Sequence, residues 1–292
     1  MNLVNPFEQR GNWYKANLHC HTTESDGDTS VEDRVEQYRQ SGYEVLAITD
    51  HELVSDAAKY GDGDLLILSG MESHPPCPHG GNLYHLVCLN VPVGFKLPDH
   101  YDAETRIVMV KHAGGEVILG HPYWCGHNIN HLLAIDGYIG IEVYNATCSK
   151  IGKALSSVQW DDLLDAGRFV GAVATDDTHR GRDMFMGWTM IKAKSLTTEA
   201  IMDALRNGCY YGSCGPVIEK VAVKGAKILV ECSDAVEVHF MSKRAHGLSV
   251  YAGEGGTINE AECDLGALER YVRVEVVDGK GLRAWSNPII LV

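Results

Sequence analysis

The sequence predicts an α/β fold followed by a smaller all-β part, and three observations carry that prediction. Residues 1–216 alternate short β-rich runs with helical patterns, the signature of βα units. After Gly215-Pro216 the texture changes, and residues 217–292 show only β runs separated by Gly- and Asp-rich turns. The chain has 292 residues, 45% hydrophobic and 22% charged, which suffices for one large core and a small second one.

Each element has a local reason. Trp13 to Cys20 reads as a strand, and Val31 to Gln40 as a helix with Ser30 as N-cap and Gly42 ending it. Buried strands are expected at Glu44 to Thr49 and Leu65 to Leu68, and a further strand-like run at Leu83 to Leu89. Ala103 to Ala113 is helical and stops at Gly114-Gly115. Strands follow at Glu116 to Leu119, Ile139 to Val143 and Val170 to Ala174, with a helix from about Lys153 to Ala166. Gly187 to Ala193 reads as the last strand of this part, before a helix at Thr198 to Arg206 capped by Thr197 and stopped by Gly208. The β runs VIEKVAV, KILVEC, AVEVHF, YVRVEVV and NPIILV then predict a β-sandwich-like appendage.

Composition narrows the function. A net charge of -14 repels polyanions, which disfavours an extended nucleic-acid track. No apolar run approaches the ~18 residues of a membrane span. The start, MNLVNPFEQRGNWYK, lacks a secretory pattern. Nine scattered cysteines without a C-x-x-C pair fit reduced thiols in a cytoplasm better than a disulfide framework or a thiolate zinc site. Fourteen histidines need another explanation, and twelve lie at or before His179, in the βα part.

These histidines fall at strand ends. His19 and His21 stand at i and i+2, on one face of a strand, so both imidazoles can reach one metal while Cys20 points away. Asp26 follows in a Ser25-Asp26-Gly27 turn, which by itself reads as a helix lead-in. Asp50-His51 ends the second strand, Glu72 the third, His121 a later one, and Asp177 with His179 the last of the series. His85 sits within a strand-like run, where a hydrogen-bonded core histidine is the commoner case. Titratable groups at successive strand ends are where βα barrels place chemistry. Imidazoles mixed with carboxylates suit Mn²⁺, Fe²⁺ or Zn²⁺. Arg180, Arg182 and, less strongly, Lys153 are placed to clamp a phosphate. Asp50 is expected to orient His51 or a metal-bound water. Glu142, at another strand end, is expected to touch substrate rather than metal. His74 and His79 lie in a Pro/Gly-rich loop over the mouth, whereas Trp124, His127 and His131 line the pocket or pack, packing being favoured.

Taken together, His19-x-His21, Ser25-Asp26-Gly27, Thr49-Asp50-His51, Gly70-x-Glu72, His85, Gly120-His121-Pro122 and Asp177-x-His179 resemble the PHP family, named for domains of DNA polymerases and histidinol phosphatase. The resemblance runs from Trp13 to Pro216, and Ala284-Trp285-Ser286-Asn287-Pro288 looks like the ending of two-domain members. It implies a distorted seven-stranded (β/α) barrel with a small C-terminal β-sandwich-like domain, divided at 1–216 and 217–292. It also implies up to three divalent metal ions, Mn, Fe or Zn. The first would take His19, His21, Glu72 and Asp177; the second Glu72, His85 and His121; the third Asp26, His51 and His179. Catalysis would centre on Glu72 and Asp177, with Asp50 behind them, and a metal-bridging hydroxide would cleave the ester of a small phosphorylated substrate. Nucleotide-bisphosphate phosphatase or exonuclease activity, and a silent metal-binding accessory module, are the alternatives. Nothing in the sequence fixes an oligomeric state.

Overall fold

The computed structural model describes residues 3–78, 80 and 82–291. Seven strands surround the barrel axis in chain order: β1 (Asn12–Asn17), β2 (Val45–Ile48), β3 (Leu66–Ser73), β4 (Leu86–Leu89), β5 (Glu116–Leu119), β6 (Gly140–Asn145) and β7 (Gly171–Thr175). Strands such as β2 (VLAI) and β4 (LVCL) are buried at every position, which is why they read as unbroken apolar runs rather than alternating ones. Neighbouring strands pair parallel except around β4, which runs antiparallel to both β3 and β5. That reversal is the distortion of the barrel.

Closure happens at the end where β1 and β7 finish. Beyond β1 and β7 the chain forms a parallel bridge between Cys20 and Thr178, with the His21 N–H donating to Thr178 O at 2.9 Å and the Asp177 N–H to His19 O at 3.1 Å. The ladder that closes the barrel therefore also sets the relative height of His19, His21 and Asp177.

Helices cover the outside. α1 (Val31–Gln40) starts where the Ser30 hydroxyl accepts the Asp33 N–H, and it buries Val35 and Tyr38. α2 (Ala103–His112) is capped by Asp102. Two short helices that the sequence did not announce, α3 (Pro122–Cys125) and α4 (Ile129–Leu133), follow β5. α5 (Ser157–Asp165) begins later than expected, because the chain first runs extended beside β6: the Asn145 N–H donates to Ala154 O at 3.0 Å and Leu155 bridges Tyr144. β8 (Trp188–Ala193) lies antiparallel to β1, and α6 (Thr198–Arg206) buries Ile201, Met202 and Leu205 beside it.

β8 is not the last strand of this part. β9 (Tyr210–Ser213) follows α6 and pairs with β8, in a stretch that reads as a turn because cysteines and glycines flank only four residues. After it come β10 (Ile218–Lys224), β11 (Lys227–Ala235), β12 (Glu237–Met241), β13 (Gly247–Tyr251), β14 (Ile258–Asp264), β15 (Tyr271–Val277), β16 (Arg283–Ser286) and β17 (Ile289–Ile290). One sheet has the order β10-β11-β14. The facing sheet, β13-β12-β15-β16, pairs through β16 with β9 and so continues into the barrel. Val221, Val230, Phe240 and Val274 fill the space between the sheets, joined by Tyr211 of β9. Asn287 adds two bonds across the seam, accepting the Ala172 N–H at 2.8 Å and donating to Gly208 O at 3.0 Å.

Candidate metal centre

The strand ends gather the nine expected donors into three groups around Glu72. In the first, His19 Nε2 and His21 Nε2 are 3.1 Å apart. Glu72 Oε2 lies 3.5 and 3.6 Å from them, and Asp177 Oδ1 lies 3.4 and 3.1 Å away. In the second, Glu72 Oε1 is 2.7 Å from His85 Nδ1 and 3.4 Å from His121 Nε2. In the third, Asp26 places its oxygens 3.2 Å from His51 Nε2 and 3.3 Å from His179 Nε2. Glu72 thus offers one oxygen to each of two groups.

The reversed strand explains His85. It sits just before β4 rather than inside it, and because β4 runs backwards its start faces the same mouth as the ends of the parallel strands. A glycine explains Asp26. A Cβ at Gly27 would lie 2.7 Å from the His21 carbonyl, so only glycine lets this turn fold back onto the first strand end. Cys20 points the other way, into a core with Val35 and Tyr38.

The site is electrostatically incomplete by itself. His21 Nδ1 and Asp177 Oδ1 are buried and make no hydrogen bond, an arrangement that costs about 1–3 kcal/mol per atom. His121 and Asp177 hold left-handed backbone, at φ 23° and 53°, and such strain persists where surrounding structure enforces it. Burial alone would raise the Glu72 and Asp177 carboxyls, but the imidazoles around them hold both well below the usual range. Burial opposes charge on His19 too, yet Asp177, Glu142 and Glu72 keep it well above 6.5. Burial pushes His85 down to about 4, against the upward pull of the Glu72 carboxylate 2.7 Å from its Nδ1. Unpaired, inward-facing donors with two fixed anions fit divalent cations, which satisfy lone pairs and neutralise carboxylates together.

Behind these donors lies a set of orienting contacts. His19 Nδ1–H donates to Glu142 Oε1 at 2.7 Å, leaving Nε2 free to face the centre. Glu142 also accepts the His121 N–H, the Asn145 amide and the Thr175 hydroxyl, and is wholly buried. It therefore stands beneath the imidazoles instead of on the substrate side, where the sequence reading put it. His179 Nδ1–H is held by the Asp177 carbonyl at 2.9 Å. Asp50 likewise departs from expectation. Its carboxylate accepts from the Thr22 N–H and hydroxyl and from the hydroxyls of Ser25 and Ser55, so it fastens the Asp26 turn and has no bond to His51.

A cleft of about 400 Å³ opens over the donors. Arg180 and Arg182 reach its wall, and Arg180 is anchored by the carbonyls of Asp26 and His179, both at 2.8 Å. Lys153 does not; its ammonium lies 5.4 Å over the Tyr123 ring, and Lys150 takes the wall position. Trp124 lines the cleft with its ring edge-on to His85 and His121, whereas His131 caps α4 and His127 is buried near Asn82 O. His79 lies outside the described residues. Sequence reasoning passed over Asn145, which bonds both Glu142 and Asp177 Oδ2, and Thr147, whose hydroxyl holds the Asp177 carbonyl. Asn145 had a usable signal, as the polar residue closing the GIEVYN strand; Lys150 had none. A larger cleft of about 660 Å³ sits near Glu116 and Arg206, remote from these donors.

No protein-family model and no curated protein matches the sequence. Solved structures do. A two-domain protein containing a predicted PHP-like metal-dependent phosphoesterase, from Bacteroides vulgatus, is 17% identical, with a TM-score of 0.57 over 100% of this chain and 98% of that one. A candidate metal-dependent phosphoesterase from Bifidobacterium adolescentis is 17% identical over 65% of this chain and 94% of that one, at a TM-score of 0.46. An amidohydrolase from Chromobacterium violaceum is 15% identical over 57% and 89%, also at 0.46. The full-length likeness to the first of these shows that the chain has a distorted α/β barrel joined to a β domain, the two-part fold its sequence predicts.

Proposed function

We propose that this chain is a PHP-type, divalent-metal-dependent phosphoesterase that hydrolyses esters of small phosphorylated metabolites, monoesters first and small or cyclic diesters next. One observation carries the reading: Glu72 stands at the junction of converging His and carboxylate groups, under a cleft walled by Arg180, Arg182 and Lys150. His19, His21, Glu72 and Asp177 would hold one ion, Glu72, His85 and His121 a second, and Asp26, His51 and His179 a third. Bound there, such ions supply Lewis-acid polarisation of the phosphoryl group and a water made acidic enough to attack near neutral pH.

The chain's own residues do the rest. Glu142 keeps the proton of His19 on Nδ1, and Asn145 holds the Asp177 carboxylate. Arg180, already fixed by two carbonyls, presents its remaining N–H groups to an anion. A cleft of about 400 Å³ suits a small ligand rather than a polymer. Imidazoles with carboxylates favour Mn, Fe or Zn. No helix among the described residues is long and apolar enough to cross a membrane, and the nine cysteines are unpaired there; a cytoplasmic location is part of the same proposal.

The test is phosphate release from sugar phosphates, nucleotides, histidinol phosphate and cyclic phosphates, with protein loaded separately with Mn, Fe and Zn. Turnover of one class that disappears on chelation supports the proposal. Absence of release across the whole panel, from protein shown to carry metal, rejects the phosphoesterase assignment.

A further inference from the structure

The metal-centre reading, on which this inference rests, employs nine side chains, and His74 is not among them. Yet His74 is wired like two that are. His19 gives its Nδ1–H to Glu142, His179 gives its own to the Asp177 carbonyl, and each turns Nε2 toward a carboxylate of the cluster. In His74, Nδ1 lies 3.1 Å from Glu52 Oε1, which also accepts the His74 backbone N–H at 2.6 Å. The ring proton is thereby placed on Nδ1, and Nε2 faces Glu72 Oε2 at 3.3 Å and His51 Nδ1 at 3.2 Å. His51 Nδ1 is 3.0 Å from the same Glu72 oxygen, which closes a triangle of donor atoms.

Glu52 is itself held in place. It has left-handed backbone at φ 54°, accepts the Ser73 hydroxyl at 3.2 Å, and lies 3.4 Å from the buried Arg106 guanidinium. A carboxylate that fixes the Nδ1–H of a histidine and frees its Nε2 is the outer support found behind metal-bound imidazoles. His74 does not line the cleft, so contact with substrate does not account for the arrangement.

We infer that His74 is a further ligand of the metal centre, forming with His51 Nδ1 and Glu72 Oε2 a divalent-cation position beyond the nine expected donors. Glu52 is its positioning residue. A neutral imidazole has one acceptor nitrogen, so His51 serves a cation on the His74 side or one on the Asp26 side, but not both.

The experiment needs no catalytic assay. Metal-stripped full-length protein is titrated with Mn²⁺, following free ion by electron paramagnetic resonance, and with Co²⁺, following the visible d–d bands. Wild type is compared with His74→Ala, Glu52→Ala and His74→Asn, the last keeping a donor for Glu52, each first matched to wild type by thermal melting. The expected result is that both His74 variants weaken one class of Mn²⁺ site about tenfold or more and shift the cobalt bands, with Glu52→Ala causing a smaller loss. Isotherms and bands that coincide with wild type overturn the inference. Weaker binding with unchanged bands also overturns it, since His74 would then only prop its neighbours. If wild type binds less than one equivalent of metal, the metal-centre reading itself falls; if His74 variants alone match wild type, only His74 is lost.

Discussion

Two buried charge clusters in this molecule are built on opposite rules. At the junction of barrel and β domain, the fully buried Arg273 is gripped by both oxygens of Asp161 at 2.6 and 2.7 Å and by Glu275 at 3.1 Å, while Arg283 takes the other Glu275 oxygen. Trp160 offers its ring face to the Arg273 guanidinium at 4.8 Å. Opposite charges there satisfy one another. At the mouth, carboxylates and imidazole nitrogens crowd together, and two buried atoms are left without a hydrogen bond. A cluster that closes on itself holds the fold; a cluster of mostly acceptors holds something else.

Removing one member from each should separate these roles. Glu72→Gln deletes the charge shared by two donor groups, and loss of hydrolysis on the order of 10³-fold or more is expected with the melting temperature little changed. Wild-type turnover in this variant would remove Glu72 from the centre. Arg273→Ala should do the reverse, costing about 3–5 kcal/mol in urea unfolding while metal content stays constant, because it strands buried carboxylates. An unchanged unfolding midpoint would show that the junction is not held by this network.

Weaker effects sharpen the contrast. Glu142→Gln keeps the shape beneath His19 but weakens its hold, and metal affinity should drop roughly 10–100-fold, measured by titration of stripped protein. Equal affinity would mean that the orientation of His19 is set elsewhere. The smallest effect concerns acid. Burial would raise the Glu275 carboxyl, but Arg273 and Arg283 hold it below its ordinary 4.5. A depressed carboxylate stabilises the fold fully above that ordinary value, and the contribution drains away as pH falls through the lower folded-state value. Urea midpoints between about pH 3 and about pH 6 should therefore slope less in Glu275→Gln than in wild type. Parallel slopes would assign the acid sensitivity to other groups.

The sequence was most readable where local chemistry decides. Helices α1 and α6 fall where Ser30 and Thr197 cap them, and β5 occupies the expected Glu116–Leu119. Ligand-type residues near strand ends were visible from their types and positions. The i, i+2 face holds for His19 and His21 around the Cys20 bridge, whereas Asp177 reaches its place through left-handed backbone just beyond β7. What escaped depends on partners distant in the chain. β4 reverses direction through its two neighbours, and a run of four apolar residues carries no sign of polarity. β9 is a strand only because β8 and β16 flank it, and β16 lies some seventy residues later. Asp50 looked catalytic beside His51, but hydroxyls at Thr22, Ser25 and Ser55 converge on it only after folding. Glu142 looked exposed to substrate for the same reason, since nothing local says which end of a buried strand residue meets His19.

The strand pairing of β9 with β16 also bears on how this protein can be cut and recombined. A gene truncated after Pro216 would encode a barrel whose β9 shows a row of unpaired amides and carbonyls, and whose Tyr144 has lost the stacked ring of Trp285. Such an edge recruits other chains, so the fragment would be recovered as aggregate rather than as a free-standing barrel. For the protein engineer the β domain is thus no detachable cassette. Barrel and β domain share one sheet, and homologous exchange of either would have to carry its seam along.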